Sequence, residues 1–512
     1  MEWQCLPIHA GPMILLWLMA VRGGHAISVL SAVPAQSDGG QWYRHRRLGA
    51  AGGDPVPRHL RDLADFCPAV VSRNMKQALT SLDRAFSCQT DVIRPDRYRQ
   101  LLALGENETL AAQGGATAYA ATSFGGGSKV VNMSRFNRLL GFDSKTLVVE
   151  AEAGITLDKL FRFLTPRGYM VPIMPGHPYV SLGGCIAGNV HGKNQFREGV
   201  FSEIVEEIRL FHPAHGIMVL NKNSEPDIFE LTCGGHGLTG IILSAKIRVS
   251  ELTGNCIEVT HIPAEDLEDT FRLLNQNKDS FDLVHSWNDL SRFDRAMGRG
   301  YIVAGKFITR DRPAKAPDYI RPIDPLRRSP LYFPLINRLT LPLLNGVYYR
   351  STCNERPRTL DLYDALFPAW NKPLYFNSYG RQGFLEPQVL VPNASSAEYL
   401  AEFEALLRRH RHPFGVASFK IFRGQQKLLH YNGSGISYSL HIANTEGARK
   451  MLSEMDEINI RHGVITNLIK DSRLSADMAR AQYPEFEDFA SRLRAFDSKR
   501  IWKTALSERL GL

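Results

Sequence analysis

Three stretches of the chain combine glycine with small residues. They are Gln113-Gly114-Gly115-Ala116-Thr117-Ala118-Tyr119, the run from Pro175-Gly176 to Asn194 that contains GGCIAGNVHGKN, and Gly234-Gly235-His236-Gly237-Leu238-Thr239-Gly240. Glycine is costly to order and is kept where backbone must turn sharply or come close to something. Bare amides in such loops form anion-binding concavities, so several of them on separate strands could wrap a pyrophosphate. None fits G-x-x-x-x-G-K-[ST], and no G-x-G-x-x-G opens a helix inside a βαβ unit. Neither a P-loop kinase nor a Rossmann dehydrogenase is therefore indicated. His191, inside the second loop, poses the question of chemistry or packing; with three such loops on the chain, it is placed near a cofactor rather than in a core.

The loops need elements to hold them. Thr109–Gln113 and Val130–Met133 read as short strands, and Leu147–Ala153 as a longer one. Leu157, Leu160, Phe161 and Leu164 follow the i, i+3, i+4, i+7 spacing of a helix, with Asp158 in its first turn. Tyr169–Met174, Ile204–Phe211, Ile217–Leu220 and Ile241–Val249 read as further strands. After Gly254 the texture changes. Strand Cys256–His261, helix Glu265–Asn275 and strands Phe281–Trp287 and Tyr301–Ile308 are followed by a proline-rich loop over 313–342. A similar order then recurs: strand Gln388–Val391, helix Ala397–Arg409, strands Ala417–Phe422 and Ile436–Ile442, helix Glu446–His462. This weak strand–helix–strand–strand repeat predicts an antiparallel sheet covered by helices.

The 512 residues are 44% hydrophobic and 22% charged, which is globular composition and long enough for two or more domains. The formal charge of +9 favours an anionic partner, but the basic residues are dispersed and no nucleic-acid motif is present. No nucleic-acid partner is expected. The seven cysteines are scattered without CxxC, so neither a disulfide framework nor a metal site is expected. Met13–Val21 is apolar but too short to span a bilayer, and Glu2 with no preceding Lys or Arg is the wrong flank for a signal peptide. Residues 1–76 read as a poorly structured extension, with secretion by this segment the minority reading.

QGGATAY, VPIMPGHPYVSLGGCIAGNVHGKN, GGHGLTGII and IKDSR together resemble the vanillyl-alcohol-oxidase superfamily of FAD flavoproteins with a PCMH-type FAD domain, and most closely its decaprenylphosphoryl-ribose oxidase branch. The resemblance covers about 78–512 and implies an α+β, two-domain fold. Residues 77–254 plus 464–512 would bind FAD, and 255–463 would form the substrate domain. Position by position, it places Ala112, Gln113, Gly114, Gly115, Ala116, Thr117, Ala118 and Tyr119 at the cofactor. Gly176, Ser181, Leu182, Gly183, Gly184, Gly188, Asn189, Val190, His191, Ile242 and Asn467 join them. Relatives with covalent FAD carry a histidine in the first loop or a cysteine in the second. The first loop here has no histidine, and Cys185 sits in a segment resembling the non-covalent branch, so FAD is expected to be non-covalent.

The same resemblance makes Lys470 the lysine beside flavin and substrate. A desolvated lysine there could act as base or, as a cation, orient the hydroxyl. His191 joins it as a catalytic candidate; Lys420, Gln388, Ser439 and Tyr119 are the substrate-binding candidates, with Lys420 facing a substrate phosphate. Departures are Ala118-Tyr119-Ala120-Ala121 where the family has Ser-Tyr-Gly-Asp, Asn467 for a tyrosine, Glu386 for a glutamine and Ser439 for a cysteine. The implied activity is oxidation of the 2-hydroxyl of a polyprenyl-phosphate-linked ribose, with a short-chain reductase completing epimerisation to arabinose. Alternatives are an aldonolactone or alditol oxidase acting on a soluble sugar, and a non-catalytic flavin- or lipid-sugar-binding protein. A lipid substrate implies a cytoplasmic protein or one peripheral at the inner membrane.

Overall fold

The computed structural model describes residues 75–310, 332–353, 356–368 and 373–512. The extension through Asn74 and most of the proline-rich stretch therefore lie outside the described residues. Strands are numbered in chain order. The chain first builds a four-stranded sheet from β1 (Met75–Thr80), β2 (Ser87–Ile93), β3 (Leu110–Gln113) and β4 (Lys129–Asn132), ordered β1-β2-β4-β3. Its β2–β4 and β3–β4 pairs are parallel. The hairpin β1–β2 carries no clean alternation, and its sequence signal is correspondingly absent.

A five-stranded antiparallel sheet follows, ordered β5-β6-β10-β8-β9, from β5 (Leu139–Asp143), β6 (Val148–Glu152), β8 (Val205–His212), β9 (Gly216–Leu220) and β10 (Ile241–Arg248). The predicted helix runs over Leu157–Leu164 and is capped by Thr156, whose Oγ1 accepts from the Lys159 amide. Its apolar stripe, Leu157, Leu160, Phe161 and Leu164, is buried with Val149, Ile208 and Ile247 of the sheet. The strand expected over 169–174 shrinks to β7 (Tyr169–Met170), which pairs with β11 (Ser250–Glu251). Pro172 and Pro175 lack the amides a longer ladder would need.

The predicted repeat is visible in the pairing. β12 (Cys256–Ala264) pairs β14 (Gly300–Ile308), which pairs β13 (Leu283–Asn288). β17 (Gln388–Pro392) pairs β19 (Gly435–Ala443), which pairs β18 (Phe414–Phe422). In both units the first strand meets the third and the third meets the second, all antiparallel. The two second strands, β13 and β18, lie side by side, and the Phe419 amide donates to Ser286 Oγ across them. The edges carry β15 (Arg358–Asp361) on β12, β16 (Phe384–Leu385) on β19 and β20 (Ile465–Thr466) on β17. Helices Leu267–Asn277, Ser396–His410 and Glu446–Arg461 cover the units. The first begins two residues later than the periodicity predicts because Asp266 caps it, its Oδ1 accepting from the Asp269 amide at 2.8 Å.

At the end of the expected proline-rich loop a helix begins, running over Leu341–Cys353. Pro342 sits in its first turn, where a missing amide costs nothing. The tail forms three helices and returns to the first sheet: the Leu110 amide donates to the Ile501 carbonyl and the Lys503 amide to that of Leu110. These contacts bring the tail, with Ile469 and Lys470, against the loop after β3; the Ala120 amide donates to the Ile469 carbonyl. Among the described residues no helix is long and apolar enough to cross a membrane.

Candidate functional site

The three glycine loops, separate in sequence, enclose one cavity of about 260 Å³. Ala112 through Tyr119 line one wall, Gly176, Ser181, Gly183, Gly184, Gly188 and Val190 another, and Ile242 with Gly237 and Gly240 a third. Lys470 and Ile469 close one end. The packing explains why the walls are glycine. A Cβ on Gly114 would stand 1.9 Å from Ser181 Oγ, and one on Gly115 2.0 Å from the Tyr179 carbonyl oxygen. Bulk at either position would drive the first two loops apart.

The donor set fits a pyrophosphate-bearing cofactor. None of the amides of residues 114–119 donates to a described residue, and Ala116 adopts a left-handed φ of 51°. Successive free amides in such a turn form an anion cradle. His236 also lines the cavity, and both of its ring nitrogens are buried without a partner among the described residues. Burial, with His430 adding repulsion, lowers its pKa to about 3, so it presents a neutral imidazole at pH 7. These unsatisfied groups suit FAD, whose phosphates and heterocycles would accept and donate to them.

Four residues expected at the cofactor do not line the cavity. Leu182 is fully buried in the core below it. Asn189 turns its Oδ1 to the Ser202 amide at 2.9 Å. His191 and Asn467 lie behind the wall, joined through Gln388: Asn467 Nδ2 donates to Gln388 Oε1 at 2.7 Å, and Gln388 Nε2 stands 3.3 Å from His191 Nε2. His191 packs edge-on against Phe422 at 4.8 Å. Burial, then Lys420 and Lys470, hold its pKa well below the usual histidine range, which suits a neutral ring whose Nε2 accepts from Gln388. Conversely, the cavity includes His177, Ser123, Met133 and Ala153, which the sequence did not single out, and Thr122, where the resemblance ends the first cofactor loop. Burial and the Lys470 charge lower His177 to about 4. Its PGHP setting, at the start of the second loop, was the available signal. Cys185 faces away from the cavity, fully buried, and burial raises its thiol above the ordinary range.

Beyond Lys470 the site changes character. Its Nζ lies 3.6 Å over the Tyr119 ring and 3.1 Å from Glu386 Oε2. Glu386 is 2% exposed; its Oε1 accepts from Ser439 Oγ at 2.7 Å, and its Oε2 lies 3.1 Å from His441 Nε2. His441 Nδ1 meets Tyr375 OH at 2.8 Å, and that hydroxyl meets Tyr379 OH at 2.5 Å. Antiparallel pairing makes this cluster: β17 and β19 set Gln388 opposite Ser439, and Ser439 and His441 project from the same face of β19. Burial pushes the Glu386 carboxyl up, but Lys470, His441 and the Ser439 hydroxyl together outweigh it and hold its pKa below the usual carboxylate range.

Two further lysines stand nearby, with no carboxylate partner among the described residues. Burial, then the Lys470 charge, lower Lys420 to about 8, against a smaller opposing pull from Glu386. Burial and Lys420 lower Lys193 to about 7, and its Nζ donates to the Ala365 carbonyl. Lys193, the lysine of the HGKN stretch, is thereby brought to the substrate end, a placement its position in a cofactor loop did not foretell. Among the described residues no group of His, Cys, Asp and Glu is arranged to hold a metal ion.

Comparison with known proteins identifies the cofactor-binding region of the chain. Residues 101–220 match the family model described as an FAD binding domain. The chain is 27% identical to the decaprenylphosphoryl-beta-D-ribose oxidase of Mycolicibacterium smegmatis, over 78% of this chain and 89% of that one. It is similar over shorter spans to the D-lactate dehydrogenase of Anaerostipes hadrus, at 27% identity over 30% of this chain and 34% of the relative. A D-arabinono-1,4-lactone oxidase of Candida glabrata is 27% identical over 23% of each chain. The shorter matches mark what these proteins share, and the match to the ribose oxidase extends well beyond it. The chain carries a PCMH-type FAD-binding domain and is an FAD-dependent oxidoreductase.

Proposed function

We propose that this enzyme oxidises the 2-hydroxyl of a polyprenyl-phosphate-linked ribose to the ketone, using FAD held non-covalently. The observation that carries the reading is the place of Lys470, at the end of the cofactor cavity and at the edge of a buried polar cluster. Bound FAD would supply the hydride acceptor for the carbinol carbon. Lys470 Nζ, within reach of both compartments, would contact the hydroxyl that loses its hydrogen. Lys420 and Lys193 suit a phosphodiester: a buried ammonium without a carboxylate is costly until an anion arrives. The likeness to the ribose oxidase over most of both chains supports this substrate.

A short-chain reductase acting on the keto sugar would complete epimerisation to arabinose. Peripheral membrane contact agrees with a lipid-linked substrate; Leu339, Leu343 and Val347 expose an apolar row beside Arg338 and Arg350. The test is anaerobic mixing of the holoenzyme with a short-chain prenylphosphoryl-β-D-ribose, following the flavin absorbance. Bleaching by that compound, and not by free pentoses or sugar lactones, is the expected result. Bleaching by the lactones alone would replace this reading with a soluble-sugar oxidase.

A further inference from the structure

Lys470 has two competing designs open to it, and the residues around it differ in which one they permit. A lysine that removes a proton must be neutral in the resting enzyme, so its surroundings should be apolar or positively charged. A lysine that polarises a hydroxyl must stay an ammonium, so a counter-charge should sit against it. Lys420 and Lys193 have the first kind of surroundings. Lys470 has the second: Glu386 Oε2 at 3.1 Å and the face of Tyr119 at 3.6 Å both stabilise positive charge.

Glu386 is itself fixed from several sides. Ser439 Oγ donates to its other oxygen, and His441, anchored through Tyr375 to Tyr379, closes on the oxygen that faces Lys470. The carboxylate thus has little freedom to leave the lysine. Lys420 on β18, which burial and the Lys470 charge lower to about 8, is the nearby like charge, while His177 and His191, from the second glycine loop, are neutral rings. Among the described residues, removing Glu386 would leave the Tyr119 face alone to offset the charge of Lys420 at Lys470.

We infer that Glu386 is a positioning residue that locks Lys470 as an ammonium, so that Lys470 serves the reaction as a hydrogen-bond donor to the substrate hydroxyl and not as the group that takes its proton. The inference rests on the proposed alcohol oxidation for its chemical meaning, but the charge state can be read without any substrate. An ammonium bonded to Glu386 Oε2 retains two further hydrogens. One of these, directed into the cavity, would hold the hydroxyl oxygen while the hydroxyl proton passes to solvent water and the carbinol hydride to bound FAD.

The test compares wild type with Glu386→Gln, which keeps the side-chain shape and removes the charge. Holoenzyme is pulse-acetylated with acetic anhydride across a pH series, and acetylation of Lys470 is quantified by peptide mass spectrometry. Only the neutral amine reacts, so the profile follows its charge. The expected result is a profile displaced to lower pH by about one unit or more in Glu386→Gln, as for loss of an adjacent opposite charge. Glu386→Asp, which retains the carboxylate, should lie closer to wild type than Glu386→Asn. That second pair gives the same comparison should the Gln variant fail to retain FAD.

Turnover of the short-chain prenylphosphoryl ribose supplies the other readout. In Glu386→Gln the alkaline limb of kcat should move down with the acetylation profile, with kcat at pH 8.5 falling about tenfold or more. An unmoved acetylation profile overturns the inference. So does a Gln variant that turns over faster than wild type at neutral pH, the outcome required if neutral Lys470 were the base. A wild type that never bleaches with this compound, alongside a displaced profile, overturns the substrate reading and leaves the role of Glu386 standing.

Discussion

The two ends of the site are built from different materials. At the cofactor end the walls are backbone: glycines packed too closely for a Cβ, and a run of amides with no described partner. At the substrate end they are side chains, with Lys470, Glu386, Ser439, His441 and Tyr375 in one connected cluster and two lysines beside it. A backbone cradle binds whatever carries a pyrophosphate and tolerates change in charge. A side-chain cluster sets which hydroxyl and which anion are accepted, and it can be rewritten one residue at a time. Glu386, standing where the resemblance places a glutamine, is such a rewriting. The contrast predicts that the cofactor end will fail through volume and the substrate end through charge.

The largest expected effect tests the substrate end. Lys470→Ala should keep the yellow holoenzyme, because the amide cradle is untouched. It should lower kcat by about 10²–10⁴, the range for loss of a proton-handling or polarising group. Stopped-flow flavin reduction measures it, with the flavin-to-protein ratio as the control. Loss of FAD together with activity would mean that the two ends are not separable. The complementary change is Gly115→Ala. Its added methyl would meet the Tyr179 carbonyl, so the first two loops must part. FAD affinity should fall by about 100-fold or more, read by fluorescence titration of apoprotein, since a misplacement of about 1 Å is enough to lose a preorganised site. A variant that binds FAD normally would show the loops to be less tightly matched than the packing states.

How much of this was legible before folding follows the same division. Glycine requirements are local, so the three loops stood out, and each of them lines the one cavity. The strand–helix–strand–strand repeat was also visible, because burial on one face imposes its own period, and both units pair alike. The polar cluster was not legible. Lys470 and Glu386 are 84 positions apart, and His441 and Tyr375 are 66 apart. They meet only because β16, β17, β19 and β20 pair in one order. Within ISYSLHI the alternation of Ser437, Ser439 and His441 was the available clue, three polar residues on one face of a strand whose other face is apolar or aromatic. His191 is the reverse case: its motif is conspicuous in sequence, but its contact with Gln388, 197 positions away, is not.

A smaller effect separates charge from volume at the substrate end. Burial lowers Lys420 to about 8 in the folded chain, against about 10.4 when unfolded. Between those values the unfolded chain binds the extra proton, so this group's contribution to stability rises with pH across that window. Below pH 8 the penalty of burying the ammonium is fully present. Lys420→Met keeps most of the volume and removes that penalty. It should therefore raise Tm at pH 6.5 by about 2–4 °C, with the gain shrinking toward pH 10. Scanning calorimetry of apoprotein at the two pH values checks this. A gain that is equal at both would assign the effect to packing.

The smallest expected effect belongs to the cofactor end. Cys185 is the cysteine of the second loop, the residue type that the resemblance links to covalent FAD there, but it is fully buried with its thiol pushed above the ordinary range, which favours an inert SH group. Cys185→Ala should leave FAD binding and turnover within about twofold and cost about 1 kcal/mol of stability, the scale of a small buried group removed. Acid precipitation of wild type should release all flavin to the supernatant. Flavin retained in the wild-type pellet and lost from that of the alanine variant would require the loop to turn Cys185 toward the cavity. The cofactor end would then depend on a side chain after all, and the contrast between a backbone-built and a side-chain-built half would fail at its simpler side.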